Sequence, residues 1–169
     1  MTYRNKTYVA FASEDIRDYR LMTAWRENDN IDFDFINAHD IASALDTSQP
    51  ETIRKRLRER LSNTKQVIVL GSLRCKSKAA LSTSFIYYEI ETIVKLDLPV
   101  IVANLDGDRT IDKGCIPKRF IDEDYYTLST SFQPKIIQYA LDNYVPAYQS
   151  GGRSGPHYYK AETYTRSGL

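Results

Sequence analysis

Two unbroken apolar runs constrain the fold of this chain more than any other feature. Residues 66–71 read Gln-Val-Ile-Val-Leu-Gly and residues 7–12 read Thr-Tyr-Val-Ala-Phe-Ala. A strand that is apolar at nearly every position, rather than at alternate ones, must be covered on both faces. That is the situation of a parallel sheet with helices on each side. The first run predicts a central, buried strand, and the second a strand beside it.

The segments between such runs supply the covering helices. Ser13 offers an N-cap, with Glu14 and Asp15 in the first turn where the helix dipole favours acids. The helix it opens runs through Trp25 and ends at Asn28-Asp29-Asn30. Residues 31–36 alternate and predict a second strand, at an edge because Asp32 and Asp34 share one face. Residues 37–47 read as a loop. Ser48-Gln49-Pro50-Glu51 has capping-box spacing and opens a helix with Ile53, Leu57 and Leu61 at four-residue intervals. Arg54, Lys55, Arg56, Arg58 and Arg60 make the rest of that helix basic, either a solvated face or a contact surface for another subunit. Residues 72–82 read as a polar loop and residues 98–105 as a fourth strand. A helical turn is expected around Phe120, a short fifth strand over 125–128, and a last helix over 134–144 with Ile137, Leu141 and Tyr144 facing in.

Strands alternating with helices imply right-handed crossovers, hence a three-layer α/β fold of the flavodoxin-like kind with a five-stranded parallel sheet. The expected strand order is 2-1-3-4-5, in which a cleft opens at the carboxyl ends of strands 1 and 3. Residues 11–15, the loop from Asn37, and residues 72–84 are delivered there.

One helix stands out within this frame. Over residues 82–98, Ile86, Ile90, Ile93 and Asp97 share about 60° of arc at ~100° per residue, with Leu96 a little further round. Glu89 falls inside the arc from Leu96 to Ile90, while Glu91 and Lys95 lie opposite, four apart and signed for a solvent pair. A carboxylate aimed at the interior is costly unless it has a polar partner or a cleft around it. The bland alternative is a helix-start glutamate that bends out to solvent. Periodicity and topology together put the Glu89 carboxylate close to the cleft.

Residues 146–169 carry glycines, Pro156 and several tyrosines without any helix or strand period. Disorder is the default for such a segment; its aromatics favour an arm that packs on its own domain or on a neighbour. The expected organisation is one domain over 1–145 and this arm over 146–169.

Composition excludes several chemistries. The formal charge of +1 over 169 residues gives no electrostatic footprint for nucleic acid or an anionic membrane. No stretch approaches the roughly 18 apolar residues of a membrane span, and no signal-peptide core follows the first residues. Cys75 and Cys115 match no metal or redox spacing and read as free thiols, so a cytoplasmic setting is expected. With His39 and His157 as the two imidazoles, no metal site is anticipated and Ser/His/Asp catalysis lacks a positioned base; His39 reads as a loop residue. No phosphate-binding glycine pattern is present, because Leu70-Gly71-Ser72 supplies a single glycine. A phospho-receiver of this fold needs an aspartate ending strand 3 and a lysine ending strand 5, and neither is there.

Tyr8-Val9-Ala10-Phe11-Ala12-Ser13-Glu14-Asp15 resembles the first box of TIR domains, and Ser84-Phe85-Ile86-Tyr87-Tyr88-Glu89 is similar to their Ser-Trp-Cys-x-x-Glu box. The Tyr88-Glu89-Ile90 version looks most like the small TIR-like proteins of bacterial Thoeris anti-phage systems. Over residues 6–145 the boxes agree in order and spacing. Phe85 stands where tryptophan is usual, Ile86 where cysteine is usual, and Ala10 where many relatives have serine.

The resemblance implies an NAD+-cleaving enzyme with Glu89 as its catalytic carboxylate. Its product would be an ADP-ribose-derived nucleotide that activates a separate effector, with NAD+ as substrate and no cofactor. Substrate contacts are expected from Phe11, Ala12, Ser13, Asp40, Ser72, Arg74, Phe85 and Tyr88, with Phe11 or Tyr87 walling the nicotinamide. Arg74, Lys76 and Lys78 either meet the pyrophosphate or form a solvated basic loop. Homo-oligomerisation through TIR contacts and a phage-derived trigger are the partners implied; neither nucleic acid nor membrane is. Two other readings stand beside this one: a non-catalytic TIR adaptor acting by self-association, and an enzyme like the nucleoside deoxyribosyltransferases.

Overall fold

The computed structural model describes residues 6–37, 49–148 and 151–169. Among them one all-parallel, six-stranded sheet forms from β1 (Lys6–Ala10), β2 (Ile36–Asn37), β3 (Gln66–Gly71), β4 (Val100–Asn104), β5 (Thr127–Ser131) and β6 (Pro156–Tyr158). The order is β2-β1-β3-β4-β5-β6, so the expected 2-1-3-4-5 arrangement is present and continues by one strand. The helices are α1 (Ile16–Glu27), α2 (Pro50–Leu61), α3 (Leu73–Ala79), α4 (Phe85–Lys95), α5 (Lys118–Asp122), α6 (Pro134–Tyr148) and α7 (Ala161–Arg166). A 3-10 turn, Ser13–Asp15, leads into α1.

Strand alternation divides the core in two. Val9, Phe11, Ile68, Leu70, Ile101 and Ala103 point to one side, where Tyr19 and Met22 of α1 and Ile137 and Leu141 of α6 cover them. Tyr8, Ala10, Val67, Val69, Val100 and Val102 point to the other, against Leu61 of α2, Cys75 of α3, Ile86, Ile90 and Ile93 of α4, and Phe120 of α5. β3 is buried at every position, as its unbroken apolar run requires.

The structure corrects several expectations. Among the described residues the second strand pairs only through Ile36 and Asn37, opposite Lys6 and Thr7. Phe33 and Phe35 are buried and pack edge to face at 5.5 Å, but the Asp34 N–H is taken by the Gln138 side chain at 2.9 Å instead of a neighbouring strand. Alternation there reflects half-burial, not a ladder. Residues 72–82 are not a plain loop, because Leu73–Ala79 is helical. Ser72 caps it, its Oγ accepting from the Cys75 N–H at 3.0 Å. This helix buries only Cys75 and Ala79, which leaves no apolar stripe to read. The fifth strand is Thr127–Ser131 rather than 125–128: its buried Thr127, Ser129, Thr130 and Ser131 are too polar to announce it. Ser13 does not cap α1.

Beyond α6 the chain returns to the sheet. β6 pairs with β5 at the free edge, where its Pro156 is tolerated. Gly155, at φ +71°, turns the chain into it; a Cβ there would stand 2.9 Å from Asp124 Oδ1. Tyr164 of α7 is 1 % exposed, and its hydroxyl accepts the Ser131 N–H at 3.0 Å. Among the described residues no helix is long and apolar enough to cross a membrane.

Candidate functional site

The carboxyl ends of β1 and β3 are tied together by Asp15, which is fully buried. Its Oδ2 accepts from Ser72 Oγ at 2.6 Å, and its Oδ1 accepts from Arg74 Nε at 3.1 Å and Nη2 at 2.8 Å. Both carboxylate oxygens are therefore engaged. The Arg74 side chain stays 60 % exposed beyond the contact. Beside it Lys78 reaches Glu14 at 2.5 Å and Ser13 Oγ at 3.3 Å, and Lys76 donates to the Lys113 carbonyl. Arg74, Lys76 and Lys78 thus form neither a bare basic patch nor a purely solvated loop. They brace the mouth of the sheet. Asp15 is the residue here that sequence reasoning undervalued as a helix-dipole acid; its place in the first box was the available signal.

Deeper on the α4 side lies Glu89, one turn into the helix and 2 % exposed. The interior orientation read from the helical period is present. Ile86 and Ile90 of α4, Ala10 of β1 and Cys75 of α3 belong to the apolar cluster on this side. Oε2 of Glu89 has no hydrogen-bond partner among the described residues. Burial raises its pKa against the opposing pull of the Tyr8 hydroxyl and the Arg60 guanidinium, and the balance stands at about 7. Tyr8 and Arg60 were not anticipated. Tyr8 could have been found, since strand alternation puts it on the same face as Ala10; Arg60 looked like one more cation on a basic rod. The same carboxylate helps burial push the Cys75 thiol far up, which leaves that cysteine an inert core residue.

Glu91 corrects the expected solvent pair. It is 7 % exposed and faces the seam between α4, α2 and α5. Arg54 Nε donates to it at 2.9 Å, and Arg119 and Lys95 stand at 3.9 and 3.8 Å. The Arg54 guanidinium also lies 5.3 Å from the centre of the Tyr88 ring. At least one arginine of the basic helix is consequently an internal anchor. Although burial works against it, this ring of cations holds the Glu91 carboxyl below its usual range.

The remaining candidates divide by face. Ala12 (1 % exposed) lies in the cluster on the Glu89 side, and Phe85 is half-buried at the start of α4. The Tyr88 hydroxyl donates to the Ser82 carbonyl at 2.7 Å. Phe11 lies across the sheet from Glu89, stacked on Tyr19 at 4.7 Å and 15°. Tyr87, half-buried and edge to face with Tyr88 at 5.2 Å, is the wall candidate on α4 itself. Asp40 and His39, with the rest of 38–48, lie outside the described residues. Elsewhere, ligand atoms of Asp106, Asp112 and Cys115 fall within 4.8 Å of one another. Asp112 already accepts from the Gly114 N–H and the Cys115 thiol, and burial pushes that thiol up to about 12, so it is no ready metal ligand.

A family model for the Thoeris protein ThsB, TIR-like domain, matches residues 8–110. The chain belongs to that family. No curated protein matches it. The match spans β1 to β4 and includes Asp15, Ser72, Arg74 and Glu89; β5, α6, β6 and α7 lie beyond it. As a member of the ThsB TIR-like family, the chain takes its place in Thoeris anti-phage defence.

Proposed function

We propose that this chain cleaves the nicotinamide–ribose bond of NAD+ and passes the ADP-ribosyl group on to make a signalling nucleotide for a separate effector. The observation that carries the reading is Glu89: a sealed carboxylate on the inner face of α4 with one oxygen lacking a hydrogen-bond partner among the described residues. Natural folds rarely keep such a group for stability, because a buried charge that is only partly satisfied is a net cost. Perturbed, partly satisfied carboxylates concentrate where chemistry is done.

The chemistry suits one carboxylate. The C–N bond breaks with its electron pair leaving on neutral nicotinamide, and positive charge develops on the ribose as in glycoside cleavage. The leaving group needs no proton, so a second carboxyl acid is dispensable. Ionised Glu89 stabilises the cation electrostatically. Water then attacks to give ADP-ribose and a proton, or an internal hydroxyl attacks to give a cyclic product and a proton. Because the Glu89 pKa stands near 7, the rate rises with pH through that value as the carboxylate charges.

Access is the second element. In the lone chain Glu89 is covered, and the Asp15–Ser72–Arg74 contacts tie the carboxyl ends of β1 and β3 together. Cleavage therefore depends on a state that uncovers Glu89, reached through self-association or an infection-derived trigger. The same cover favours one competing reading, a TIR adaptor that only assembles. Incubating purified protein with NAD+ and measuring nicotinamide release across a concentration series separates the two. The enzyme reading expects release whose specific rate climbs with concentration or trigger, and a fall on the order of 100- to 1000-fold in Glu89→Gln. Absence of release under all these conditions supports the adaptor.

A further inference from the structure

We infer a second ligand site, a cavity for a planar aromatic ring bearing an anionic group, of the nucleoside-monophosphate class. It lies between α6, β5 and β6, on the side of the sheet away from Glu89 and outside the part of the chain that matches the family. Its volume is about 220 Å³. That is below the roughly 300–1,000 Å³ of pockets for drug-sized ligands, and suits one ring system with its substituent left at the rim.

The lining specifies the ring. Tyr126 and Tyr144, 8 % and 3 % exposed, lie edge to face at 5.2 Å among the buried residues, and Tyr139 and Tyr159 form a second edge-to-face pair at 5.3 Å. With Tyr158 five tyrosines line this space; one face of Tyr126 is already stacked on Tyr148 at 5.6 Å, and the remaining ring faces and edges offer contacts to a flat heterocycle. The buried Tyr159 hydroxyl has no hydrogen-bond partner among the described residues, a cost that an incoming ring nitrogen or carbonyl would relieve. The rim specifies the charge. Arg153 is exposed there, one Nη donating to the Tyr126 hydroxyl at 3.3 Å, with His157 edge-on to Tyr126 at 4.8 Å. Among the described residues no carboxylate lines the cavity. An aromatic cage for an alkylammonium ion needs the opposite arrangement, since Arg153 would repel a cation; a phosphate on the ring's ribose is what a guanidinium at a rim holds best.

Calorimetric titration of the full chain with AMP, adenosine, inorganic phosphate and tetramethylammonium tests the assignment. Saturable AMP binding is expected, tighter than adenosine, with phosphate and tetramethylammonium failing to saturate. Arg153→Ala, at an exposed position, should bring AMP down to the adenosine affinity and leave adenosine unchanged. Tyr159→Ala should weaken both on the order of 10-fold, and Tyr159→Phe, which keeps the ring and the packing, should weaken them by less. The proposal is overturned by AMP failing to saturate, by AMP affinity that neither Arg153→Ala nor Tyr159→Phe changes, or by tetramethylammonium binding more tightly than adenosine. None of these outcomes depends on NAD+ cleavage or on Glu89.

Discussion

Glu89 and Glu91 stand two residues apart on α4, both buried, in opposite surroundings. Around Glu91 the seam of α2, α4 and α5 brings in Arg54, Arg119 and Lys95, so the charge is met on several sides. Around Glu89 the inner face supplies isoleucines, Ala10 and Cys75, with Tyr8 and Arg60 as its polar company, and among the described residues one oxygen is left without a hydrogen bond. Burial alone therefore does not mark a functional carboxylate. What separates the two is satisfaction: a paired charge holds helices together, while an unsatisfied one persists at the expense of stability.

The contrast has a pH signature of opposite signs. Glu89 has a folded pKa of about 7 against an ordinary 4.5. Between those values the folded chain keeps a proton that the unfolded chain has lost, so stability falls as pH rises through the window. The whole decline is about 3 kcal/mol, an order-of-magnitude figure. Glu91, held below its ordinary value, stabilises above pH 4.5 and loses that contribution as pH falls through its folded pKa. Urea unfolding of wild type and Glu89→Gln from pH 4.5 to 8 checks the first sign. The substituted chain should show no decline through the window, and the gap between the two should widen with pH in its favour.

The next effect lies at the seam. Glu91→Leu leaves Arg54 without its main partner and should destabilise by about 2–3 kcal/mol. The usual 3–5 kcal/mol for a sealed pair is discounted because the Arg54 side chain keeps 29 % exposure. An unchanged urea midpoint would place Glu91 with ordinary surface acids and dissolve the comparison. Smallest of all is Lys95→Gln. Its ammonium is 3.8 Å from Glu91 and 54 % exposed, so about 0.5 kcal/mol or less is expected by the same assay. A larger loss would mean that Lys95, not Arg54, neutralises the carboxylate.

How much of this was legible in the sequence depends on which residues carried the pattern. β3 could be read to the residue because its six positions are all interior, and Pro50 with the stripe Ile53, Leu57 and Leu61 announced α2, whose N-cap is Gln49 rather than the Ser48 that the capping-box spacing suggested. Glu89 was legible because its angular place among Ile86, Ile90 and Ile93 is a property of one helix. Glu91 was not. Its burial comes from two other helices packing on the flank of α4, and no period within α4 encodes that. α3 and β6 were missed for a related reason: each is short and buries too few side chains to generate a period. β5 was misplaced because four of its five positions carry hydroxyl side chains, which are buried there all the same. The Asp15 brace joins residues 57 and 59 positions apart, a distance at which local patterns say nothing.

The measurement closest to the central claim is a thermal melt of Glu89→Leu beside wild type at pH 8, with nicotinamide release assayed on the same samples. If Glu89 is an unsatisfied carboxylate kept for chemistry, leucine relieves its desolvation, and the melting temperature should equal or exceed that of wild type while NAD+ cleavage is lost. A clearly lower melting temperature would show a charge tied into the fold like Glu91, and retained cleavage would remove Glu89 from the reaction; either result contradicts the account.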